Sequence, residues 1–189
     1  MKLLITLSLI LVVSVNATIT LPSAFSTDFK QTISNDSGKA IYYQGHLFFK
    51  DLLETIADDR GIEQSYTRSI FKWNYLSPSK KEVCSDGIQL VVVDHDLEQV
   101  SNYIVDESID LKKILSLAKK ITQNDYKATY KEVEYLISLN SEGHLVKIIY
   151  VDNLENSVKI EFTDMSYSEK LDNKLLECNA PKEYDVIKG

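Results

Sequence analysis

Apolar residues recur at every second position along most of this chain, and that period is the spacing of strands with one face buried. Phe25, Thr27, Phe29, Gln31 and Ile33 share one face of a first strand. Ile41 to Lys50 forms a second, with Leu47 and Phe49 on one side and His46 and Phe48 on the other. Ile70 to Leu76 places Phe71, Trp73 and Tyr75 together, and Ser77-Pro78-Ser79 breaks it. Glu82 to Ser85 and Ile88 to Asp94 flank an Asp86-Gly87 hairpin turn, and Leu97 to Val105 follows Asp94-His95-Asp96. Tyr126 to Tyr130, Val133 to Leu139, Leu145 to Val151, Val158 to Thr163 and Lys174 to Cys178 repeat the habit. Turns rich in Asn, Asp, Ser and Gly separate them. The pattern predicts about ten strands in a meandering sheet or barrel.

Two segments depart from it. Asp110 to Ile121 carries Leu111, Ile114, Leu115, Leu117 and Ala118 at helical spacing, with lysines toward water and Asp110 as N-cap. Asp51 to Ala57 is also helix-prone, through Leu52, Leu53 and Ile56.

The start of the chain differs in kind. Met1-Lys2 precedes an apolar stretch from Leu3 to Val15, and Val15-Asn16-Ala17 suits a cleavage site. Residues 1–17 are expected to be a secretory signal peptide, since about thirteen apolar residues are too few to span a bilayer. Residues 18–189 are expected to form a single soluble domain outside the cytoplasm. No cysteine follows the cleavage site to carry a covalent lipid.

Several function classes recede. A net charge of −7 argues against nucleic acid or an anionic membrane as the main partner. His46, His95 and His144 lack metal-ligand spacing, and Asp94, Asp96 and Glu98 read as a solvated turn rather than a cation loop. No nucleophile–base pair, phosphate loop or dinucleotide loop occurs. The expectation is a protein without catalytic residues, cofactor or metal. Cys84 and Cys178 are the only cysteines. They are read equally as a disulfide or as small buried residues.

A curling sheet must cover one face or enclose something. The inward candidates are Phe29, Phe49, Phe71, Trp73, Val91, Val93, Ile149 and Phe162, with Leu47 beside them. They fit either a solid core or the lining of a cavity that a helix could close.

Five segments, in order, resemble a known family. They are Phe25-x-x-x-Phe29-x-Gln31-x-Ile33, Tyr43-x-Gly45 with Leu47 to Lys50, Phe71-x-Trp73-x-Tyr75-x-x-Pro78, the run from Asp86-Gly87 through Asp94-x-Asp96-Leu97 to Gln99-Val100, and Ala180-Pro181 to Asp185-Val186-Ile187. Together they are similar to the LolA family of periplasmic lipoprotein carriers. The resemblance implies a mainly β fold, an incomplete antiparallel barrel covered by one to three short helices. It implies a cavity for lipoprotein acyl chains, lined by Phe29, Leu47, Phe49, Phe71, Trp73, Val91, Val93, Ile149 and Phe162. It makes Leu111, Ile114, Leu115 and Ala118 a lid. The implied partners are acylated lipoproteins, an inner-membrane releasing ABC transporter and an outer-membrane acceptor, with no nucleic acid and a monomeric carrier. A lipid-sensing signalling protein on the same half-barrel is the alternative.

The chain departs from that pattern at two places. Little room exists before the first strand for the family's N-terminal helix, and residues 51–67 look inserted. Arg68 lies near the family's lid-locking arginine but one position closer to Phe71. It is the candidate lock, and Asp51 to Ile56 the candidate substitute lid helix.

Overall fold

The computed structural model describes residues 19, 21–104, 111–168 and 170–188. The expected leader and the expected cap Asp110 lie outside the described residues. The alternation becomes β1 (Ala24–Ser34), β2 (Ala40–Ala57), β3 (Glu63–Ser77), β4 (Lys81–Ser85), β5 (Gln89–Asp94) and β6 (Gln99–Ile104). After a short helix α1 (Leu111–Ser116) come β7 (Lys119–Lys120), β8 (Asp125–Tyr130), β9 (Val133–Leu139), β10 (Leu145–Val151), β11 (Ser157–Tyr167) and β12 (Asp185–Lys188).

All twelve strands form one sheet, in the order β12-β6-β5-β4-β3-β2-β1-β11-β10-β9-β8-β7. The order has two ends, so the barrel is open, as expected. Neighbours pair antiparallel except β12, which lies parallel to β6. Each hairpin link is short, and β1 joins the two halves by pairing with β2 on one side and β11 on the other.

The sheet has two unlike faces. Phe25, Phe29, Leu47, Phe49, Ile137, Ile148, Ile160 and Phe162 belong to the inner core, which also takes Ile114 and Leu115 of α1. Burying one such side chain contributes about 1.5–3 kcal/mol. Gly45 shows how tightly strands approach there: a Cβ on it would lie 2.0 Å from the Asn74 carbonyl oxygen. On the outer face, Ala24 and Ile70 pack with Leu171 and Leu176. Cys84 and Cys178 form a disulfide, with Cα atoms 5.7 Å apart. Beside it, Lys72 Nζ lies 3.1 Å from Glu82 and donates to the Glu177 carbonyl at 2.8 Å. The Asn179 amide donates to Glu82 at 2.7 Å. The C-terminal segment is thus strapped across the back of β3 and β4 before β12 joins the edge.

Three expectations are corrected. Asp51 to Ala57 is no helix: it continues β2 and pairs with Glu63 to Ser69. Cross-strand pairing overrides a weak helical spacing. Lys174 to Cys178 is no strand: residues Asn173–Leu176 form a 3-10 helix, capped by the Asp172 carboxylate on the Lys174 amide. The helix expected over 110–121 stops at Ser116, because Lys119 and Lys120 pair with β8 at the sheet's edge.

Candidate functional site

A cavity of about 1200 Å³ lies on the inner face. Its lining draws on β1 to β5, α1 and β8 to β11, which requires the sheet to curl around it. The floor is mostly aromatic. Phe71, Trp73, Tyr75, Tyr135, Tyr150 and Phe162 line it, with Val83, Leu90, Ile148 and Ile160 between them. Phe29 packs its edge against Trp73 and Tyr75, at centroid distances of 4.8 and 5.0 Å. The phenols are kept neutral by their setting. Burial pushes Tyr75 well above the ordinary range and Tyr150 up to about 12. The Tyr75 hydroxyl donates to the buried Gln31 side chain at 3.1 Å. Every fully buried polar side-chain atom among the described residues has a partner. An interior of this kind offers dispersion contact and few unmet hydrogen bonds, which suits an apolar guest.

Leu47, Phe49, Phe71, Trp73 and Phe162 line the cavity. Phe29 sits behind Trp73 as a fully buried support. Val91 and Val93 do not line it. They pair with Cys84 and Glu82, and Leu90 is the β5 side chain that reaches the cavity. The strap that covers the outer face makes Val91-Val92-Val93 apolar on both sides, so alternation alone cannot choose between them. Ile149 also faces away, opposite Lys159 and Leu136. An irregularity between Leu145 and Lys147 shifts the phase of β10, so Ile148 takes the inward place.

Leu111 and Ile114 of α1 line the cavity. Leu115 and Ala118 instead pack into the core. Arg68 does not reach α1. Its guanidinium pairs with Glu54 and donates to the Asp86 carbonyl. Hydrogen bonds from Tyr66 and then Arg68 hold the Glu54 carboxyl below its usual range. The connection to α1 is made by Lys112, whose Nζ lies 2.6 Å from Asp51 Oδ2, while Ser69 donates to Asp51 Oδ1 at 2.6 Å. Sequence reading misses this pair because residues 51–57 carry a helical spacing that hides their strand.

The histidines stay apart. His46 pairs with Asp28, His95 lies beside Glu82 and Tyr184, and His144 lies 3.4 Å from Glu142. Among the described residues, the one grouping of three metal-ligand types is Glu82, Cys84 and Cys178, whose sulfurs are already bonded to each other.

Residues 69–134 match the model of the family described as outer membrane lipoprotein carrier protein LolA. The outer-membrane lipoprotein carrier protein of Campylobacter jejuni is 28% identical over 88% of this chain and 87% of its own length. That of Wolinella succinogenes is 27% identical, with 87% of each chain covered. The chain is similar to outer-membrane lipoprotein carriers along most of its length. A conserved protein of Thermus thermophilus, at 10% identity, shares the fold with a TM-score of 0.50 over 89% of this chain and 92% of its own.

The segment that matches the LolA model runs from the inner end of β3 through α1 to β9. It therefore carries Phe71, Trp73, Leu90, Leu111 and Ile114 of the cavity lining. The outer part of the β2–β3 hairpin precedes it. No helix among the described residues is long and apolar enough to cross a membrane.

Proposed function

We propose that this protein is a periplasmic carrier that takes acyl chains of lipoproteins released from the inner membrane into its cavity and delivers them to the outer membrane. One observation carries the reading: a chain similar to lipoprotein carriers over most of its length holds an aromatic-floored cavity of about 1200 Å³, larger than a typical small-molecule site. Each buried methylene contributes about 0.8 kcal/mol, so shape-matching is not required for useful affinity. A loose fit also serves release. Rings that stack on one another leave a lining that accepts chains of different length without closing tightly on any of them.

On this reading Leu111 and Ile114 cover the guest, and the Lys112–Asp51 pair holds α1 near the mouth. The donor is an inner-membrane ABC transporter and the recipient an outer-membrane acceptor, with a monomeric carrier between them. Residues 1–17 direct export. The test uses purified protein lacking residues 1–17, added to spheroplasts loaded with lipoprotein. Lipoprotein should appear in a soluble complex with it. If none is released while a fluorescent fatty acid still binds, the cavity senses lipid rather than moving lipoprotein.

A further inference from the structure

The β2–β3 hairpin outruns its neighbours. β1 pairs with β2 only as far as Lys50, and β4 pairs with β3 only from Phe71. Beyond those points the Asp51 amide still donates to the Ser23 carbonyl, and from Leu52 to Ala57 and Glu63 to Arg68 the two strands pair with each other alone among the described residues. They make a two-stranded arm about 20 Å long at ~3.4 Å per residue. Outward of Asp51 and Ser69 both its edges are open among the described residues, and neither strand contains proline.

Free two-stranded ribbons are marginal in water. This one is braced at its root on both faces. Arg68, Glu54, Tyr66 and the Asp86 carbonyl form a network on one side. Asp51, Ser69 and Lys112 form one on the other. The braced end belongs to the cavity: Tyr66, Thr67, Arg68 and Ser69 line its rim, next to Gly87 and Ile88 of the β4–β5 turn.

We propose that the open edge of this arm binds, by strand addition, the extended peptide that follows the acylated residue of the cargo. The proposal rests on the carrier reading. Acyl chains seated on Trp73 and Phe162 leave their attached peptide at the rim, where the arm stands. Strand addition uses main-chain hydrogen bonds and tolerates many sequences. That suits cargoes which share their acyl chains but not the residues after them. One face of the ribbon carries the hydroxyls of Thr55, Ser65 and Thr67 beside the exposed Leu53, so it offers both small polar and apolar contact to the side chains of an added strand. The arm carries Asp59 and Glu63 exposed near its tip, which disfavours an anionic membrane as occupant.

The test compares two synthetic lipopeptides on the unaltered protein. Each has a diacylated cysteine and the same short linker, and in one the linker amides are N-methylated. The unmethylated form should bind about tenfold tighter. Replacing residues 55–65 by an Asn-Gly turn, which keeps Glu54 and the rim residues Tyr66 to Ser69, should remove that difference and leave the methylated form's affinity unchanged. Equal affinities on the unaltered protein overturn the proposal and leave the carrier reading standing. A difference that survives in the shortened protein also overturns it. If neither lipopeptide binds, the carrier reading falls, and the proposal with it. If sedimentation gives a dimer that the shortened protein loses, the edge belongs to a second copy.

Discussion

Lys112 on the short helix and Asp51 at the root of the β2–β3 hairpin meet at 2.6 Å, bridging elements that are otherwise separated by the cavity. The lysine side chain is 46% exposed and the carboxylate 14%, so solvent screens the pair. Asp51→Asn should therefore cost at most about 1 kcal/mol of stability. It should speed the exchange of a bound fluorescent fatty acid far more than it weakens the fold. Stopped-flow exchange set beside urea melts separates the two effects. An unchanged exchange rate would remove the pair's role in holding the helix.

Phe29 and Phe71 are both inner-face rings with different surroundings. Phe29 is fully buried, whereas Phe71 borders open space. Phe29→Ala should cost about 3–5 kcal/mol. Phe71→Ala should cost clearly less and should alter the affinity for a hydrophobic probe. Equal losses in urea denaturation would mean that Phe71 is packed solidly and that the space beside it is closed.

The Cys84–Cys178 bond closes a loop with a sequence separation of 94. Reduction, or Cys178→Ser, should lower stability by about 2–5 kcal/mol. Amide exchange should rise first in β12 and the strap, which the bond holds against β4. Protection of β12 that survives reduction would assign its anchoring to the Lys72–Glu82 cluster alone.

Tyr150 supplies a pH dependence whose direction is fixed. Burial pushes its phenol from the ordinary value of 10.0 up to about 12. Between those values the unfolded chain loses the proton and the folded one retains it. The contribution is complete below about pH 10 and is lost as pH rises toward about 12. Urea midpoints at a series of alkaline pH values should fall in the native protein and fall less in Tyr150→Phe. Parallel slopes in the two proteins would contradict the assignment.

Much of this arrangement is legible from alternation, because a strand with one wet face states its inward residues directly. Leu47, Phe49, Phe71, Trp73 and Phe162 follow that rule. It gives out where both sides of a strand are covered, as at Val91 to Val93, and where a bulge changes phase, as between Leu145 and Ile148. It also gives out where a partner strand is distant in sequence. Leu52, Leu53 and Ile56 suit a helix as well as a strand, and only pairing with Gln64, Thr67 and Arg68 decides between them. Of the helix expected after Asp110, Leu111 and Ile114 reach the cavity, while Leu115 and Ala118 serve the core beneath.

The parallel pairing of β12 with β6 makes one border of the sheet depend on residues that follow every other strand along the chain. Polypeptides are synthesised amino end first, so the β6 border stays bare while β7 to β11 are being built. Until Asp185 to Lys188 arrive, that border is a template on which another nascent copy can stack. A chain without Asp185 to Lys188 would thus keep its pocket but gain an adhesive rim, prone to clumping rather than to losing its grip on lipid.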